Sequence, residues 1–96
     1  MKTIYKYQLT AQSKQTIQLP RFAISLSVQL QHGKPCLWAL VDTDEPAQEY
    51  IVRAYGTGHE LDELPVGFEY LGTAQSADGH LVFHFFGYPA TFALTS

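Results

Sequence analysis

The chain has 96 residues, 46% of them hydrophobic and 14% aromatic, with a formal charge of −3. That length sets one domain around a single core, and the composition excludes an intrinsically disordered chain. A single cysteine excludes an internal disulfide, and no apolar run approaches the roughly 20 residues that a membrane-spanning helix needs.

Side-chain alternation with a period of two dominates from the first residues, which marks half-buried strands. In "TIYKYQL", Tyr5, Tyr7 and Leu9 oppose Ile4, Lys6 and Gln8, and "QTIQLP" is a short second strand ending at Pro20. "AISLSVQLQ" puts Ile24, Leu26, Val28 and Leu30 on one face, the expected buried one. "HGK" supplies a turn in which Gly33 is free to take a positive φ. "PCLWALV" is apolar on both faces and reads as a central strand covered on both sides, with Cys36 a buried, inert thiol. Asp42 to Pro46 form a loop, and Glu49 to Tyr55 the next strand.

The stretch "AYGTGHELDEL" reads as a turn followed by at most one helical turn near "ELDEL". "FEYLGTAQ" and "HLVFHFF" form a hairpin about Asp78-Gly79, and "ATFALTS" suggests a last strand, with residues 87–96 an extra edge or an oligomerisation tail. No window carries a capped helical stripe. The predicted fold is therefore all-β and mainly antiparallel, one small sandwich or open barrel over 1–96 with seven to eight short strands and little or no helix.

Chemistry is sparse. Gly56 and Gly58 lack the third glycine and the following helix of a dinucleotide fingerprint, and no Lys-Ser/Thr pair offers a P-loop. His80 and His84 would share a metal on a helix, but on a strand four residues span about 13 Å, far beyond two bonds of about 2 Å. "DTDE" lacks the glycine and terminal glutamate of a calcium loop, and the serines sit in no nucleophile elbow. No catalytic set, metal or cofactor is expected. The opening "MKTIYKYQLT" has neither a long apolar core nor a small-residue cleavage site, so the cytoplasm is the expected compartment.

Charge is segregated along the chain. Residues 1–41 hold five basic side chains and no acid, whereas residues 42–78 hold all nine acids against Arg53. Nucleic acid is disfavoured by the negative total and by Lys2 and Lys6 facing away from Tyr5 and Tyr7. A partner protein with a basic surface fits better. Its expected contacts are Asp42, Asp44, Glu45, Glu49, Glu60, Asp62 and Glu63, beside Tyr55 and His59, provided that the two acidic loops gather on one edge. The alternative is a small-ligand pocket lined by Trp38, Tyr50, Tyr70 and His84, sequestering a nucleotide signal. The uncharged end "GYPATFALTS" is a candidate homodimer edge.

"MKTIYKY", "VQLQHGKPCLWALVD", "YGTGH" and "GHLVFHFF" together resemble a family of small proteins of unknown function found in tailed phages and prophages. The most specific piece is Gly33, Pro35 and the run Leu37 to Asp42. The resemblance implies a host-cell setting and a non-enzymatic binding role, such as blocking a host enzyme or a defence complex of the CRISPR kind. It carries over no site residue.

Overall fold

A computed structural model describes residues 1–61 and 64–94. Seven strands form two antiparallel sheets: β1 (Lys2–Gln8), β2 (Lys14–Pro20), β3 (Ile24–Gln31), β4 (Lys34–Asp42), β5 (Ala47–Gly56), β6 (Glu69–Gln75) and β7 (Val82–Pro89). One sheet has the order β1-β4-β3 and the other β2-β5-β7-β6. The two sheets pack face to face without closing into a barrel, which realises the predicted all-β sandwich.

The core is what alternation requires. Leu37, Ala39 and Val41 of β4 face Tyr50, Val52 and Ala54 of β5 and Phe85 of β7, with Leu9 and Leu19 filling the β1 and β2 side. Fully burying one such aliphatic or aromatic side chain stabilises the fold by about 1.5–3 kcal/mol. Cys36 is buried, as expected. The β3–β4 hairpin turns on consecutive positive φ values, His32 at 52° and Gly33 at 78°, the pattern whose twist matches the flanking strands.

Three expectations change. In β3 the pairing with β4 shifts between Ser25 and Ser27, and this bulge reverses the alternation. Ser25 and Val28 therefore face the other sheet, the Ser25 hydroxyl donating to the Leu71 carbonyl at 3.4 Å, while Ile24 and Leu26 are 56% and 49% exposed. β4 is central but covered by a second layer on one side only: Trp38 and Leu40 on its outer face are half-buried by neighbours within their own sheet. Among the described residues the tail adds no further strand. Pro89, which has no N–H to donate, makes the last pair of β7 with Tyr50, and Ala90–Leu94 continue as a 3-10 helix packed on β5 and β7. The expected helical turn near "ELDEL" includes Asp62 and Glu63, which lie outside the described residues.

Candidate functional site

The connections decide where the charges meet. β5 is ten residues long, and the two acidic loops leave from its opposite ends. Asp42, Asp44 and Glu45 lie at the end where β5 begins, and Glu60 follows the Gly56–His59 turn at the other. A strand of that length spans about 33 Å, which sets Glu60 apart from Asp42, Asp44 and Glu45. Asp62 and Glu63 lie outside the described residues. Tyr55, expected at the contact surface, is only 7% exposed, with the Arg53 guanidinium 5.5 Å from its ring centre and Phe86 packed edge-on at 6.0 Å.

What gathers with the first acidic loop is the β2–β3 turn. The chain crosses from one sheet to the other in three residues, Arg21 to Ala23, closed by the Ala23 N–H donating to the Pro20 carbonyl at 3.3 Å. The Arg21 N–H donates to the Pro46 carbonyl at 2.9 Å and ties this turn to the acidic one. So tight a crossing puts Phe22 at φ 65°, a left-handed conformation that a bulky side chain rarely adopts. Its ring is 72% exposed, and the Arg21 guanidinium rests 5.0 Å from the ring centre.

Phe22 is a ridge between two clefts. On one side a cleft of about 210 Å³ is lined by Lys2, Ile24, Leu40, Asp42 and Glu45. On the other a cleft of about 380 Å³ opens into the mouth of the sandwich, with Leu19, Tyr50, Glu69, Pro89 and Phe92 among its walls. Glu49 lies on β5 near the same end, exposed and opposite Gln18 of β2.

Two of these acids are already engaged. The N-terminal ammonium donates to Asp42 at 3.2 Å and to Asp44 at 2.9 Å. The Asp44 backbone N–H, also bonded to Asp42, is the main cause holding the Asp42 carboxyl below its ordinary range, and the ammonium adds to it. The two carboxylates in turn raise the pKa of the ammonium. At the mouth of the sandwich the buried Tyr50 hydroxyl donates to Glu69. Burial, reinforced by that carboxylate, pushes the Tyr50 phenol well above its ordinary value. Gly87, paired with Glu69 across the β6–β7 ladder, leaves the space in which the Tyr50 ring lies.

The opposite end carries the His32-Gly33, Gly56–His59 and Asp78-Gly79 turns and, with His84 of β7, the histidines of the chain. Gly56, Thr57, Gly58 and His59 form the expected plain turn, closed by the His59 N–H donating to the Gly56 carbonyl at 3.2 Å. The His59 ring sits so close over Gly56 that a Cβ there would lie 2.7 Å from it. His59 and His80 line one shallow cleft of about 220 Å³. His80 lies in the β6–β7 turn and His84 in β7, which leaves them on different elements. Among the described residues no group of three or more His, Cys, Asp or Glu side chains is placed to hold a metal.

The four residues expected around one pocket occupy different layers. Trp38 is on the outer face of the three-stranded sheet, opposite Lys6 and Ser27. Tyr50 lies between the sheets. Tyr70 and His84 do meet, on the outer face of the four-stranded sheet, through Thr73: the Thr73 hydroxyl is 2.5 Å from the Tyr70 hydroxyl and 3.0 Å from His84 Nδ1. His84 Nε2 lies 2.7 Å from the Thr57 hydroxyl, so the ring pins the Gly56–His59 turn to the sheet.

Phe22, Arg21 and Glu69 were missed in the sequence. The available signal was "PRFA", a connection between two alternating strands with an aromatic where glycine or asparagine is the usual turn residue. No helix among the described residues is long and apolar enough to cross a membrane. No curated protein and no solved structure matches the chain. A family model, described as a domain of unknown function (DUF7352), matches residues 1–93, and the chain belongs to that family.

Proposed function

We propose that this chain is a non-enzymatic protein-binding module that takes a partner with a basic surface on the end built around Phe22. The observation that carries this reading is Phe22 itself, a large aromatic side chain exposed at a left-handed φ between two clefts. Backbone strain of this kind costs on the order of 1–2 kcal/mol and persists where surrounding contacts over-determine it, commonly at working surfaces. Aromatic anchors that fill a partner's pocket dominate interface energies.

The acids beside it set the class of partner. Asp42, Asp44, Glu45, Glu49 and Glu69 lie at this end against Lys2, Arg21 and the N-terminal ammonium, an excess of negative charge that favours a basic partner. In its finer form the proposal is a phage or prophage protein in the host cytoplasm that blocks a host enzyme or a defence complex such as CRISPR. Support for that setting comes from the resemblance carried by the "LWALVD" and "GHLVFHFF" segments.

The test is affinity capture from a bacterial host with the wild-type chain and two variants, Phe22→Ala and the charge reversal Asp44→Lys/Glu45→Lys. Specific capture that weakens in both variants and falls steeply with salt is the expected result. Capture unchanged by both variants would remove this end from the mechanism.

A further inference from the structure

β3 and β6 close one long side of the sandwich on each other, and β1 and β2 border the other. β2 ends in Pro20, which has no N–H, whereas β1 pairs with β4 on one edge and is open along the other. The register fixes which backbone groups are open. The Leu9 N–H donates to the Pro35 carbonyl and the Thr43 N–H to the Met1 carbonyl, so the odd-numbered residues of β1 turn their backbone groups to β4. Lys2, Ile4, Lys6 and Gln8 turn theirs outward, and among the described residues no backbone bond outside the ladders reaches them. Such a row of N–H and C=O groups is a template for one more strand. Lys2, Ile4 and Lys6 stand exposed on the outer face, in rows with Asp42, Leu40 and Trp38 of β4, and β1 holds no acid. Asp42 is engaged by the N-terminal ammonium, and the Lys6 ammonium donates only to the neutral Gln31 amide, at 2.7 Å. On the core-facing side Tyr5, edge-on to Tyr7 at 6.4 Å, is still 44% exposed, since no strand flanks it there.

From this arrangement we infer that β1 takes an extended acidic segment of another protein as an added antiparallel strand. The pattern Lys2-x-Ile4-x-Lys6 sets the pattern of the guest: acid, x, aliphatic, x, acid on the outer face. Its alternate residues, on the face of Tyr5 and Tyr7, are β-branched or aromatic. Main-chain bonds supply the affinity and these side chains the choice of partner. A guest carboxylate competes well for the Lys6 ammonium, because an ionised acceptor binds it more strongly than the Gln31 amide does. A second copy of this chain fits less well. Two β1 strands, each with Lys2 and Lys6, put only positive charge on their shared outer face.

This inference is independent of the basic-partner proposal, whose test uses Phe22, Asp44 and Glu45. NMR titration of the full chain with the end-blocked peptide Thr-Glu-Val-Ile-Val-Glu-Thr reads it at the backbone amides of Ile4 and Lys6. Those signals are expected to shift and their hydrogen exchange to slow, as the outward N–H groups gain acceptors. The same peptide with both Glu replaced by Lys should bind about two- to thirtyfold more weakly, the value of two cross-strand charge pairs. Lys2→Glu/Lys6→Glu should invert that preference. Ile4→Pro removes an outward N–H, spares the bonds to β4, and should abolish binding of the acidic peptide. The same spectra report whether each variant is folded. Unmoved Ile4 and Lys6 amides in the wild-type chain at millimolar peptide overturn the inference. So does equal binding of the two peptides, or a preference that the charge swap leaves unchanged. Amides that shift with protein concentration alone would give the edge to a second copy and overturn it too.

Discussion

Gly72 of β6 lies against Val28 of β3 so closely that a Cβ on Gly72 would stand 2.8 Å from the Val28 Cβ and 2.9 Å from its backbone nitrogen. Both strands are irregular at this contact, β3 shifting register between Ser25 and Ser27 and β6 between Tyr70 and Gly72. These bulges bend two edge strands toward each other and close one long side of the sandwich. Gly72 also has φ 154°, outside the range that side chains ordinarily adopt. Gly72→Ala is therefore expected to lower unfolding stability by about 1–3 kcal/mol, the range for overpacking a well-filled site. Denaturant titration measures it; an unchanged midpoint would mean that the sheets do not meet here.

Gly87→Ala makes a second, sharper test of packing. The added methyl would overlap the Tyr50 ring, so the ring must leave its place and the hydroxyl must leave Glu69. Tyr50→Phe removes only the hydrogen bond, and its expected cost is about 1 kcal/mol. Gly87→Ala should cost more than Tyr50→Phe, and a reversed order in thermal unfolding would contradict the assigned packing.

Phe22→Gly separates stability from binding. Glycine takes a φ of 65° without strain, so the variant is expected to gain about 0.5–1 kcal/mol of stability after its own entropy cost. The same change removes the exposed ring and should reduce partner capture. A variant both less stable and fully competent in capture would show that the ring is held for packing alone.

The clamp between the N-terminal ammonium, Asp42 and Asp44 gives a pH dependence with a definite sign. The Asp42 carboxyl is lowered, so its contribution is present above the ordinary value of 3.8 and is lost as pH falls through the folded value. The ammonium is raised, so its contribution is present below the ordinary value of 8.0 and is lost as pH rises through the folded value. Asp78, lowered chiefly by the Ser76 hydroxyl and then by the His80 N–H, shares the acid limb. Asp42→Asn should weaken both limbs of the stability profile in low salt, whereas Asp78→Asn should weaken the acid limb only. Identical profiles for the two variants would contradict the clamp.

Alternation determined most of the strands, while an unbroken apolar run marked the central β4, Asp78-Gly79 the β6–β7 hairpin, and Gly56 and Gly58 the plain turn. Burial of one face enforces a period of two that any chain of this composition must satisfy. What alternation could not reach was every place where the backbone breaks its own period. The bulge in β3 turned Ile24 and Leu26 outward, and Pro89 turned an expected strand into a 3-10 helix.

The site needed the tertiary structure for a related reason. Glu60 was set apart from Asp42, Asp44 and Glu45 by the ten-residue β5 between them, because an extended strand separates its ends as far as a chain can. Phe22 and Glu69, which are 47 positions apart in sequence, were brought to one cleft because antiparallel pairing and sheet crossing set which strand ends coincide in space. That relation belongs to topology and is carried by no local pattern of residues.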